Sequence, residues 1–158
     1  MLELQSFILN IPKVSSLAVF PDGTGFGTLS EDATVCWWNW EGKEIMRIER
    51  YTENKYTDLR LSPDGKYMLF GHSLCAVQGR EFQVPGFQFH NNAISAYCFT
   101  PEGKFFICCY NDGFAEIWNL QGENIRRFHG LKGTSEVVSM SPDGQWILTS
   151  SKSSGAQL

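Results

Sequence analysis

His90, Asp112 and Trp118 bring an imidazole, a carboxylate and an indole N–H into one stretch of the chain, the kinds of group that can relay a proton. His72, Cys75, His90 and Cys98 raise a second possibility, a zinc site. The segment "HSLC" supplies one short ligand pair, but no second pair has matching spacing, so no metal is expected. Asp22, Asp64, Glu102 and Asp143 occupy similar tetrapeptides and are acids of the type that work in pairs or hold calcium. Equivalent turns are expected to stand far apart at a rim, which makes these solvated turn acids. Trp37, Trp38 and Trp40 offer aromatic faces on which a sugar could stack. No Gly-rich loop leads from a strand into a helix, and no G-x-S-x-G is present. "DGTGFG" (22–27) mimics a phosphate loop but lies within a hairpin pattern.

The elements that must position these groups repeat. "FPDG" at 20–23, "SPDG" at 62–65, "TPEG" at 100–103 and "SPDG" at 141–144 place prolines 42, 38 and 41 residues apart. Pro presets φ at the first turn position, an acid follows, and Gly takes a position with φ > 0. Short apolar runs flank each turn: "VSSLAVF", "YTDLRLS", "ISAYCFT" and "EVVSMS" before, "GFGTL", "KYMLF", "KFFICC" and "QWILT" after. Such runs read as strands buried on both faces. Residues 31–48 and 111–128 each add an Asp turn, a strand ending Trp-Asn, a Gly turn and a further strand. That gives four strands per unit of about 40 residues. Adjacent Cys108 and Cys109 must point to opposite faces of such a strand, which makes them a poor chelate.

This pattern resembles the WD-repeat (WD40) family of β-propellers over essentially the whole chain. The four PDG-type turns carry the resemblance, together with Asp32 and Trp38-Asn39, Asp112 and Trp118-Asn119, and His90 nine residues before Phe99. Trp-Asn stands where the family has Trp-Asp, units two and four lack the Trp, and unit two is shortened after its second strand. The resemblance implies an all-β propeller of four-stranded antiparallel blades, four blades' worth in this chain. In the family a loop His, a turn Asp, a strand Ser or Thr and the Trp share a buried hydrogen-bond network. It implies a structural role for His90, Asp112, Trp118, Asp32 and Trp38. Cys108, Cys109 and Tyr110 near the hydroxyl position make that network incomplete in unit three, and Ile11 replaces the His in unit one.

Composition narrows the function. With a net charge of -4 and no basic stripe, nucleic acid is not an expected partner. No apolar run approaches the roughly 20 residues of a membrane span, and no cofactor motif is present. Five cysteines without a C-x-x-C pair read as reduced apolar thiols of a cytoplasmic protein. Arg47, Arg50, Arg126 and Arg127 fall on or beside outer strands and are expected to be solvated. Trp40, near a strand end, is the tryptophan expected to be exposed.

Counted in repeat coordinates, 1–13 is an outer strand, 14–50, 51–90 and 91–130 are blades, and 131–158 holds the first three strands of a closing blade. The Leu2–Leu9 strand is expected to complete that blade. An eight-blade homodimer ring is favoured over a closed four-blade monomer or a piece of a larger protein. The expected function is a non-catalytic scaffold that binds a protein or peptide on the loop face around the channel. Glu31, Arg50, Tyr51, Lys55, Asn91, Asn92, Asn111 and Lys132 are its candidate contacts. Carbohydrate binding through exposed aromatics is the alternative.

Overall fold

A computed structural model describes residues 11, 13–49, 58–71, 73–77, 94–128, 137–151 and 155–157. The described elements are strands, with no helix among them. They form four separate, open antiparallel sheets in which neighbours in sequence are neighbours in space. The first holds β1 (Val14–Val19), β2 (Gly25–Ser30), β3 (Val35–Asn39) and β4 (Glu44–Ile48). The second holds β5 (Leu59–Leu61), β6 (Tyr67–Phe70) and β7 (Ser73–Ala76). The third holds β8 (Ile94–Phe99), β9 (Phe105–Tyr110), β10 (Ala115–Asn119) and β11 (Asn124–Phe128). The fourth holds β12 (Val137–Met140), β13 (Ile147–Ser151) and β14 (Gly155–Gln157). The Leu2–Leu9 strand and the fourth strand of unit two lie outside the described residues.

Each PDG-type turn joins the first two strands of its sheet. Gly23, Gly65, Gly103 and Gly144 have φ of 70–71°, the left-handed region that favours glycine. Their N–H groups close the turns onto the carbonyls of Phe20, Ser62, Thr100 and Ser141 at 2.8–2.9 Å. The repeat extends below the resolution of the motif. The first and third sheets both carry a bulge in their first strand, at Ser15 and Ser95, whose hydroxyls donate to Leu29 O (3.0 Å) and Cys109 O (3.1 Å). Both also shift register immediately before the tryptophan, at Trp37/Trp38 and Ile117/Trp118.

The chain divides into two compact units between Leu59 and Arg60. In the first, Trp37 lies against Gly27 and meets the Phe20 ring edge-on at 5.3 Å. Asp58 and Leu59 are tied to β1: Ser16 Oγ donates to Asp58 Oδ1 and accepts the Leu59 N–H, both at 3.1 Å. In the second unit the period-two rule of a strand makes β9 a core with two faces. Phe106, Cys108 and Tyr110 pack with Tyr97 and Trp118 against Leu69 and Leu74 of the second sheet. Ile107 and Cys109 pack with Ala96 and Ala115 against Val138 of the fourth, with Met140 and Ile147 alongside. Cys108 and Cys109 thus point to opposite sides of the third sheet. The five cysteines are free thiols. Burial pushes the Cys98 thiol up to about 12 and Cys108 well above the ordinary range, so neither is a thiolate at neutral pH.

Two expectations need correction. Strand β1 is not buried on both faces. Leu17 is 62% exposed, whereas Tyr97, at the matching position of the third unit, is 6% exposed because the second sheet covers it. Val137, Leu148 and Trp146 of the fourth unit are likewise exposed. The acidic turns are not widely separated either. A Cβ on Gly103 would meet Pro63 Cδ at 3.3 Å, and one on Gly144 would lie 4.0 Å from Glu102 Oε2. Equivalent turns of neighbouring sheets in this unit therefore touch.

The turn carboxylates serve their own turns. Asp22 accepts from the Thr24 N–H and hydroxyl at 3.0 and 2.7 Å. Asp64 accepts from Ser62 Oγ at 2.6 Å and the Lys66 N–H at 3.1 Å, and Asp143 does the same with Ser141 and Gln145. Those bonds favour the ionised form and hold all three acids below the ordinary 3.8, led by the backbone bond in Asp22 and by the serine hydroxyl in Asp64 and Asp143. A depressed folded pKa means stability that is present above the ordinary value and lost as pH falls through the folded one. We expect the urea midpoint to drop as pH is lowered from 5 to below 3.8, and a Ser62→Ala, Ser141→Ala double variant to show a shallower drop.

Candidate functional site

In the first, second and third sheets the second strand ends opposite the PDG-type turn, where it turns toward the third strand. At that end of the first sheet, Ser30 donates its N–H to Thr34 O (2.9 Å), and Asp32 Oδ1 accepts the Thr34 N–H (3.0 Å). Ala33 is held at φ 64° in this turn, where the third sheet has Gly113 at 83°. Glu31 is exposed. Its N–H donates to Lys13 O, and its carboxylate pairs with Lys13 Nζ at 2.7 Å. Beneath the turn, Trp38 Nε1 donates to the buried Thr28 Oγ1 at 3.0 Å. Replacing Thr28 by Val leaves that N–H buried without its acceptor. The expected cost is about 1–2 kcal/mol, read as a lower urea midpoint at unchanged slope.

The same end of the third sheet is built alike but wired differently. Tyr110 donates its N–H to Phe114 O (2.9 Å), and Asp112 Oδ1 accepts the Phe114 N–H (3.3 Å). Cys108 stands where Thr28 stands in the first sheet, since Trp118 pairs with Phe106 as Trp38 pairs with Phe26. The Tyr110 hydroxyl reaches across instead and donates to Glu116 Oε2 at 2.8 Å. Glu116, 1% exposed, sets Oε1 3.6 Å from Arg127 Nε. Arg127 Cζ lies 4.0 Å over the Phe114 ring. Burial first, then the Cys108 thiol and Glu116, pushes the Tyr110 phenol far above its usual range, so it stays protonated and donates.

The described outer-strand arginines, Arg47, Arg126 and Arg127, are exposed as expected, and each also meets a neighbouring side chain. Arg126 stacks over Phe128 at 4.9 Å, and Arg47 binds Glu44 through Nε (3.1 Å) and Nη2 (2.7 Å). Glu116 was missed by sequence reasoning. Its only signal was a charge in the run "FAEIW", at a strand position that should be apolar.

Of the candidate contacts, Glu31 and Asn111 are exposed at these turns. Arg50, Tyr51, Lys55, Asn91, Asn92 and Lys132 lie outside the described residues, as does His90. Asp32 and Asp112 each cap their turn, and Trp38 and Trp118 are buried under them. In the second sheet the matching connection is tied to its neighbour: the Gly71 N–H donates to Tyr97 Oη at 3.2 Å. Trp40 is exposed, but its indole N–H is bound to Gly23 O at 2.6 Å. Among the described residues no three metal-binding side chains gather, and no helix is long and apolar enough to cross a membrane. His72 is outside them.

Residues 82–119 and 122–156 match the family described as WD domain, G-beta repeat (WD40). The chain is 29% identical over 131 residues to the WD repeat-containing protein WDS homolog of Arabidopsis thaliana, covering 79% of this chain and 25% of that protein. It is 21% identical over 123 residues to the WD repeat-containing protein 26 homolog of the same plant, covering 75% and 21%. A WD repeat-containing protein of Synechocystis, sll1491, is 22% identical over 141 residues, covering 86% and 40%. The chain thus spans between a fifth and two fifths of the length of these relatives.

Proposed function

Because residues 82–119 and 122–156 are WD40 repeats, we propose that the chain is a non-catalytic scaffold that receives a polypeptide partner on the loop end of its sheets. WD40 repeat proteins generally act as protein-interaction scaffolds. The observation that carries the reading here is the bracing of those loops. Asp32, Asp112 and Tyr97 fix three turns by hydrogen bonds, so exposed Glu31 and Asn111 stand on backbone that is already ordered. Contacts on pre-ordered backbone lose less entropy when a partner docks. Arg50, Tyr51, Lys55, Asn91, Asn92 and Lys132 complete the proposed surface. Nucleic acid and membrane are not proposed partners, and the free thiols suit the cytoplasm.

The test is photo-crosslinking in cells, with a benzophenone amino acid at 31, 111 or 125. Positions 31 and 111 are on the proposed face, and Ile125 is exposed on the outer strand β11. Adducts with a discrete protein from 31 and 111, and none from 125, are expected. The reverse pattern would remove the proposal.

The exposed faces carrying Leu17 and Val19, and Val137 and Leu148, need cover. We propose that a second copy provides it in a homodimer ring. Further repeats of a longer polypeptide would cover them equally well. A sedimentation mass near twice 17.9 kDa supports the dimer, and a single-chain mass argues against it.

A further inference from the structure

We infer that Arg127 is a contact for a carboxylate, fitted to an acidic segment of the partner; this rests on the loop end of the sheets being the docking face. Arg127 pairs with Glu116 across β10 and β11, one residue from the loop end of β11. Its guanidinium is held from two sides, by the Phe114 ring at 4.0 Å and by Glu116 Oε1 at 3.6 Å from Nε. Glu116 is fixed in turn by the Tyr110 hydroxyl. Yet the Arg127 side chain is 39% exposed. The planar fork is oriented from behind and open in front.

That arrangement belongs to the third unit rather than to the repeat. At the matching place in the first sheet, Arg47 spends two nitrogens on its own neighbour Glu44, and Cys36 lies across from it where Glu116 would be. A purely structural arginine on an exposed strand needs no buried carboxylate behind it. An arginine that must present its outer edge in one orientation does, because rotamer freedom lost in advance is not lost on binding. The fork matches a carboxylate with two parallel hydrogen bonds. Glu116 and exposed Asp112 set two negative charges beside the one positive charge of Arg127, which repels a phosphate dianion more than a single carboxylate.

The experiment titrates the ¹⁵N-labelled chain with an acetylated, amidated decapeptide of alternating Glu and Ser. Matched peptides carry Gln for Glu, or phosphoserine for Ser with Gln for Glu. The Glu peptide should shift the Arg127 Nε–H and Phe114 amide signals, and the Gln peptide should not. Arg127→Gln should weaken binding on the order of tenfold, and Arg127→Lys less, as expected for loss of a charge-assisted pair. Three results overturn the inference: no shift at Arg127, an equal response to the Gln peptide, or tighter binding of the phosphoserine peptide. If Arg127→Gln does not fold, the three titrations of the unaltered chain decide alone. An acidic peptide that shifts Asn111 with undiminished affinity for Arg127→Gln sinks the inference and leaves the docking face standing. Absence of photo-adducts from 31 and 111 removes the face itself.

Discussion

Gly27→Ala lowers stability by about 2–3 kcal/mol, the upper part of the range for overpacking a filled core. Gly27 of β2 sits directly across from Trp37 of β3. A Cβ there would lie 2.3 Å from Trp37 Cζ3, 2.7 Å from Cε3 and 3.2 Å from Leu59 Cδ2. A distance of 2.3 Å is far inside van der Waals contact, so something must move. The indole cannot retreat: it is almost fully buried, with the Phe20 ring against it, and Leu59 crowds the new Cβ as well. The backbone of Gly27 imposes no unusual φ, so the effect is one of volume alone. Urea unfolding followed by tryptophan fluorescence measures it. Trp37→Leu in the Gly27→Ala background should recover part of the loss, since residues in contact do not add. A midpoint equal to that of the parent would mean that the ring does not rest on Gly27.

Glu116→Ala is expected to cost about 2–4 kcal/mol. The truncation leaves the Tyr110 hydroxyl buried without its acceptor and removes the anion behind Arg127. Arg127 is partly exposed and can turn to water, which keeps the cost below that of a fully enclosed ion pair. Glu116→Gln keeps an acceptor for Tyr110 and loses only the charge, so about 1 kcal/mol is expected. Tyr110→Phe should cost less in the Glu116→Ala background than alone, the signature of a shared bond in a double-mutant cycle. Additive losses would show that the two side chains are neighbours without coupling. The raised phenol adds a pH sign: stability is present below its ordinary value of 10 and falls as pH rises above that.

The turns and the strand order were legible because their cause is local. Pro, an acid and Gly in sequence dictate a hairpin turn wherever they fall, and all four turns have the expected glycine φ. The opposite facing of Cys108 and Cys109 followed from strand geometry in the same way. The exposure of Leu17 was not legible, because burial of a sheet face depends on what packs over it. "SSLAV" reads like the buried "SAYCF" of the third unit. Nor was the contact between Pro63 and Gly103, which arises only when two sheets stack. The site was harder still. Asp32 and Asp112 announce themselves by their place before small residues in turns. The link between Tyr110, Glu116 and Arg127 depends on cross-strand register, which a bulge at Ile117/Trp118 shifts by a residue. A charge in an apolar strand was its one trace in the sequence.

The braced loop end requires the third sheet to lie between two others, with β9 as the shared core. Amide hydrogen exchange measured strand by strand tests this most directly. Strand β9 has apolar partners on both faces, whereas β11 is an exposed edge. Amides of Phe106 to Tyr110 should therefore exchange slowest within the third sheet, at rates set by global unfolding, with β11 exchanging fastest. Rapid exchange along β9, or protection that is equal in β9 and β11, would contradict the stacked arrangement and the braced loop end built on it.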